Sequence, residues 1–207
     1  MVKNVKVSLL LLFFMSSGIY AQNIDISILR SLNTPRVLPA DNFYRFVTNS
    51  HSYIIIGSNL SMGAAGFIRH DNEMKHNALD MAISSIVTAG ITQALKYSIE
   101  RDRPFVKYPD ISLKTKAGDP SFPSGHTSAV FSAATSVSLS YPEWYIIVPS
   151  YTWAGLVGYS RMRLGAHYPS DVLAGALIGT GTAWLTHHVT KKLNTRQVKS
   201  HTPDGYH

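Results

Sequence analysis

Five stretches of this chain, roughly 53–68, 78–99, 125–140, 144–160 and 170–187, are long runs of apolar and small residues with few charges. They are long for strands and lack the strict alternation of a half-buried sheet, so they predict helices. Five such segments in 207 residues predict an all-α chain, a helical bundle of about five core helices filling residues 53–190. The connection 141–143, "YPE", is tight, and 69–77, "RHDNEMKHN", is polar. The longest, 104–122, is rich in Pro, Gly and Lys. Residues 22–52 read as a mixed helical and irregular segment broken by Pro35 and Pro39, and 191–207 as a polar tail that frays.

The first 21 residues have the layout of a secretory signal: a short positive lead, an apolar core, then small and polar residues, with cleavage expected after Ala21. The apolar core is short for an uncleaved anchor. The chain is therefore expected to be exported and to work at the periplasmic face of an envelope. It has no cysteine, which excludes disulfides, thiolate metal sites and a cysteine nucleophile. Its formal charge of +7 points to anionic partners. The helical segments are at or just below spanning length and heavy in Ser, Thr, Gly and Ala. That suits close packing within a bilayer, and also a compact soluble bundle. The expectation is association with, or passage through, the inner membrane; the alternative is a soluble periplasmic protein.

If successive helices run antiparallel, the end of the second, the start of the third, the end of the fourth and the start of the fifth share one end of the bundle. With an exported N-terminus that end faces out, and the basic C-terminal run lies inside. Charge is concentrated there. Between Ser121 and Thr190 the only formal charges are Glu143, Arg161, Arg163 and Asp171, and Glu143 sits in the tight turn. Lys96 and Arg103, seven residues apart, fall on one helical face before Pro104 ends the helix. Taken alone, these two make a solvated basic face, His126 is an ordinary histidine, and Asp171 is a helix cap. Together, Lys96, Arg103, His126, Arg161, His167 and Asp171 meet at one end, and five of the six are cationic or can become so. Such convergence calls for an anion.

The stretch "FPSGHTSAV", 122–130, supplies the anion's seat. Pro123 stops the preceding chain, Ser124 is a good N-cap, and Gly125 lets backbone approach a ligand. The first N–H groups of the helix lack intrahelical partners, so the helix end attracts anions. His126 on the first turn is placed to give a proton to a group leaving that anion.

Lys96-x6-Arg103-Pro104, Pro123-Ser124-Gly125-His126 and Ser160-Arg161-x5-His167-x3-Asp171 together resemble the three-part signature of the type 2 phosphatidic acid phosphatase family. Its superfamily also holds bacterial acid phosphatases and vanadium haloperoxidases. All three parts match in order and internal spacing. The resemblance implies a metal-independent phosphatase without cofactor. His167 would be the nucleophile forming a phosphohistidine, and Asp171 would orient it through the other ring nitrogen. His126 would protonate the leaving oxygen and then activate water. Lys96, Arg103 and Arg161, with Ser124 and the Gly125 N–H, would hold the phosphate oxygens.

Arg101 and Arg163 each lie two residues from a motif arginine, point elsewhere on a helix, and read as solvent or headgroup contacts. His187 and His188 read as residues ending the last helix, and His51, His70 and His76 match no motif. A metal site fails on charge, since fixed cations would surround a second cation. The expected substrate is an envelope lipid phosphate: phosphatidic acid, phosphatidylglycerol phosphate, a polyprenyl diphosphate or lipid A. Apolar helices beside the site and Lys107, Lys114 and Lys116 in the long connection suit a headgroup at an anionic membrane surface. The rivals are a soluble acid phosphatase for small phosphomonoesters, a vanadate haloperoxidase, and a non-catalytic basic protein that binds acidic lipid. Nucleic acid is not expected, because the cations converge on a point rather than forming a stripe.

Overall fold

The computed structural model describes residues 23–201, with helices and no strand among them; the expected signal segment, 1–21, lies outside the described residues. The helices are α1 (23–32), α2 (Pro39–Asn49), α3 (His51–Ile68), α4 (Asn72–Ile99), α5 (Pro104–Lys107), α6 (Gly125–Ser140), α7 (Trp144–Arg163) and α8 (Pro169–His201). The five long ones, α3, α4, α6, α7 and α8, correspond to the five segments read from sequence. α4 starts earlier than residue 78 because the Asp71 side chain caps it, accepting from the Met74 amide at 3.0 Å. The connection 69–77 therefore shrinks to a turn. α8 runs to His201, so residues 191–201 continue the helix instead of leaving it, and His187 and His188 lie well inside it.

α6 is the central strut, packed against α3, α4, α7 and α8. Its small residues permit this, and α8 meets them with glycine. A Cβ on Gly179 would stand 2.2 Å from the Ser128 carbonyl oxygen, and one on Gly175 2.7 Å from that of Ser124. The two backbones thus touch, as small-residue crossings allow. That contact brings the first turn of α8 to the first turn of α6, where the Ser124 amide donates to the Asp171 carbonyl at 3.0 Å.

The interior is rich in polar side chains beside two small apolar clusters. On α4 every fourth residue from Ser84 to Lys96 is buried, through Thr88 and Thr92. Thr88 bonds the Ser132 hydroxyl at 3.1 Å and the Thr182 hydroxyl at 2.5 Å. Large apolar side chains face outward, among them Leu60, Phe67, Ile86, Leu173 and Leu177. Among the described residues one stretch, Asn72–Lys107, is long and apolar enough to cross a membrane.

The N-terminal segment forms two helices that brace the loops at the site end. Asn33 exchanges bonds with Ser112, donating to its carbonyl and accepting from its amide, both at 2.9 Å. Asp41, fully buried, takes Lys114 at 2.8 Å and Arg163 at 3.3 Å. Two expectations fail here. Lys114 is buried on Asp41 and unavailable to a headgroup. Arg163 points away from Arg161 as the helical offset requires, but its partners are Asp41, the Leu32 carbonyl and the Tyr44 ring, not solvent.

Candidate active site

Five chain segments converge at the end of the bundle that parity picks out. The end of α4 supplies Lys96, the stretch after it Arg103, the start of α6 Gly125 and His126, and the end of α7 Arg161. The turn before α8 supplies His167. Together with Lys116 and Asp119 of the long connection they line a cavity of about 240 Å³. Ser124 and Asp171 are fully buried behind its wall.

The cations are held by neutral acceptors, mostly carbonyls. Lys96 donates to the Pro120 carbonyl. Arg103 donates to the Asp119 carbonyl at 2.6 Å and the Ala166 carbonyl at 2.8 Å. Arg161 reaches the Thr48 hydroxyl at 3.3 Å, and its buried Nε has no partner among the described residues. A buried guanidinium with an orphan N–H carries a desolvation cost unless an anion arrives.

His167 is fixed from both sides. Its Nδ1 lies 2.8 Å from the Ser121 carbonyl and 3.6 Å from Asp171 Oδ2. Both neighbours are acceptors, so the proton sits on Nδ1. Nε2 then carries a lone pair, accepts from Arg103 Nη1 at 3.3 Å, and faces the cavity. The ring's direct acceptor is thus Ser121; Asp171 stands one step further off. Gly165 shapes the turn that delivers the ring. It sits at φ 72°, and a Cβ there would lie 2.4 Å from the Ser112 carbonyl oxygen.

Asp171 is saturated. Oδ2 accepts from the Ser121 hydroxyl at 2.5 Å and the Tyr168 amide at 2.9 Å, and Oδ1 from Arg101 at 2.6 Å. Burial would raise its carboxyl, but the His167 ring, Arg101 and Ser121 outweigh this and hold it below the ordinary carboxylate range. Burial, aided by Arg161 and Arg103 against the pull of Asp171, lowers His167 to about 4. Burial and then Arg161 push His126 far below its ordinary value. A phosphate dianion in this cavity would raise both histidines.

At the head of α6, Ser124 occupies the N-cap position but makes no side-chain cap. Its Oγ instead accepts from Thr127 Oγ1 at 2.9 Å. The first-turn amides stay free for another acceptor. A Cβ on Gly125 would meet only ordinary contacts, Thr92 at 3.8 Å and Lys96 Cε at 3.9 Å. The space glycine leaves there belongs to the cavity.

Three residues escape the sequence reading. Arg101 is not a solvent contact. α4 ends at Ile99 and Glu100 turns left-handed, so residues 101–103 are not helical and the two-residue offset no longer separates Arg101 from Arg103. A buried Asp171 needing a counterion was the available signal. His51, at the start of α3, stacks on His126 with centroids 4.0 Å apart, a contact no spacing announces. Ser121 lies just outside the PSGH motif. His70 and His76, in the turn before α4 and on its first turns, are not among the cavity's lining residues.

Residues 77–195 match the family model described as the PAP2 superfamily, and the chain belongs to that superfamily. It is 35% identical over 109 residues, 52% of each chain, to the undecaprenyl-diphosphatase of Sulfolobus acidocaldarius. It is 31% identical over 147 residues to the lipid A 1-phosphatase of Porphyromonas gingivalis, covering 70% of this chain and 31% of that one. The chain therefore spans about half the length of the first relative and under a third of the second. Its fold matches a crystal structure of a transmembrane PAP2-type phosphatidylglycerolphosphate phosphatase from Bacillus subtilis. The TM-score is 0.71, at 24% identity, covering 90% of this chain and 96% of that one.

Proposed function

We propose that this chain is a metal-independent phosphatase that removes phosphate from a lipid phosphate or diphosphate through a phosphohistidine. The observation that carries the reading is the His167 ring, protonated on Nδ1 and aiming the Nε2 lone pair into a cavity walled by Lys96, Arg103 and Arg161. Nε2 attacks phosphorus as the P–O bond to the leaving group breaks, and His126 gives that oxygen its proton. His126 then takes a proton from water, whose oxygen bonds phosphorus as the P–Nε2 bond breaks. Asp171 balances the charge on the phosphorylated ring. The three cations and the free amides of α6 hold the equatorial oxygens, which is where phosphoryl transfer needs charge.

Burial and Arg161 favour a neutral His126. A bound phosphate dianion reverses the local charge and loads the proton used for the leaving group. His51, stacked on His126, lines with Arg45 and Lys116 a second cavity of about 790 Å³; Lys116 belongs to both cavities.

The lipid substrate is supported by the named activities of the relatives and by the apolar outer faces of the helices, which suit a chain set in a membrane with its site at the surface. The expected export signal supports a surface outside the cytoplasm. The test is phosphate release by the purified chain from phosphatidic acid, phosphatidylglycerol phosphate, polyprenyl diphosphate, lipid A and soluble monoesters. Release from at least one lipid, strong inhibition by vanadate and indifference to EDTA are expected. Preference for soluble monoesters by a detergent-free protein would replace the lipid reading with that of a soluble acid phosphatase. Inhibition by EDTA would overturn the metal-independent mechanism.

A further inference from the structure

Behind His167 lies a chain of charges that reaches out of the family's matched region into α1. Asp171 Oδ1 receives Arg101 Nη1 at 2.6 Å, and Arg101 Nη2 donates to Asp25 Oδ2 at 2.7 Å. Asp25 is itself fixed, accepting from the Ser170 amide at 2.8 Å and the Ser170 hydroxyl at 2.5 Å. Arg101 also donates to the Ser170 hydroxyl at 2.7 Å, and its guanidinium lies 3.9 Å over the Tyr168 ring. Asp25 and Asp171 are both buried. We propose that Arg101, shared between Asp171 and the α1 residue Asp25, is a positioning residue that sets the orientation and the net charge of the carboxylate beside the His167 nucleophile.

The proposal rests on the phosphatase reading and deepens it. Orientation follows from the bond to Oδ1. With that oxygen held, the carboxylate plane is fixed and Oδ2 stays toward Ser121, the Tyr168 amide and His167. Charge follows from the sharing. One guanidinium between two carboxylates leaves a net charge of about −1 in the cluster. Were Arg101 paired with Asp171 alone, the pair would be neutral and would do little for a ring that becomes cationic on phosphorylation. Without Arg101, a bare buried carboxylate would hold a proton on the His167–Asp171 pair.

His167 is also faced by Lys96 of α4, Arg103 before α5, Lys116 and Asp119 of the long connection, His126 of α6 and Arg161 of α7. These are unchanged when residue 25 or 101 is replaced, so shifts between variants isolate the cluster. His167 must be neutral to attack, and activity is lost as pH falls through its pKa. Removing a positive charge nearby raises that pKa; removing a negative one lowers it.

The experiment compares Arg101→Gln, Arg101→Lys and Asp25→Asn in the full chain by kcat/KM against pH and by NMR titration of the His167 ring. Asn at 25 keeps an oxygen for the Ser170 amide and removes the charge, together with the acceptor that Oδ2 offers Arg101 and the Ser170 hydroxyl. Arg101→Gln should move the acid limb up by on the order of one pH unit, and Asp25→Asn should move it down by a smaller amount. Arg101→Lys should restore the limb but not the full kcat, since an ammonium cannot bridge two carboxylates as a fork. Shifts of opposite sign are not expected from damaged packing. An unmoved limb, or shifts of the same sign in Arg101→Gln and Asp25→Asn, overturns the proposal. Should the wild-type chain release no phosphate, the activity reading fails, while the titration of His167 still decides this one.

Discussion

Two buried groups of basic side chains lie within this molecule, and two residues of sequence separate them. Arg161 belongs to the cavity with Lys96 and Arg103; Arg163 belongs, with Lys114, to the Asp41 cluster. Around Asp41 two cations close on one carboxylate, which also takes the Leu38 amide at 2.8 Å. That cluster is complete and binds α2 to the long connection and to the end of α7. In the cavity the three buried cations are held by neutral oxygens, Asp119 is the acidic residue among the lining side chains, and the Arg161 Nε has no partner among the described residues. The lesson is that a cation's partner, not its burial, separates a brace from a binding site.

That contrast can be broken by substitution on each side of it. The largest effect is expected at Arg161→Ala, where kcat/KM should fall by ~10²–10³ with thermal stability little changed or raised, because an incompletely paired buried charge is removed. Loss of folding without a specific loss of turnover would place Arg161 among the braces. Next comes Gly125→Ala. Its methyl meets only ordinary protein contacts, so the fold should persist, while the group intrudes beside Lys96 and costs ~10²-fold in kcat/KM. Unchanged kinetics would show that the substrate does not approach the head of α6. The smallest effect on turnover should come from Asp41→Ala. It strands Lys114 and Arg163 and should destabilise by about 3–5 kcal/mol in chemical denaturation. Its kcat per folded molecule should stay within about threefold. A large selective loss of kcat there would erase the distinction.

The bundle was legible in sequence because long apolar, small-residue-rich runs bounded by breakers mark helices well. α6 occupies the segment read as 125–140, and α7 and α8 begin within a residue of theirs. The start of α4 was missed because the Asp71 cap outweighs the polarity of residues 72–77. The motif residues could be named from spacing, and the structure gathers Lys96, Arg103, Gly125, His126, Arg161 and His167 around one cavity. Ser124 does not reach its wall. What spacing cannot convey is pairing over distance: Arg101 meets Asp171 across 70 residues and Asp25 across 76. Placing Arg101 on a helix put it on the wrong side, and the early end of α4 is the reason.

The central claim is that His167 bonds to phosphorus, and a trapped intermediate tests it most directly. The full chain would be mixed with a turned-over lipid substrate, quenched in alkali where a phosphoramidate survives, digested, and read by mass spectrometry. The account predicts one phosphoryl group on the peptide containing His167, chased away by longer incubation and absent from His167→Ala, which should also lose turnover. Sustained phosphate release by His167→Ala, or turnover by the wild-type chain with no phosphorylated peptide at any time point, would contradict it.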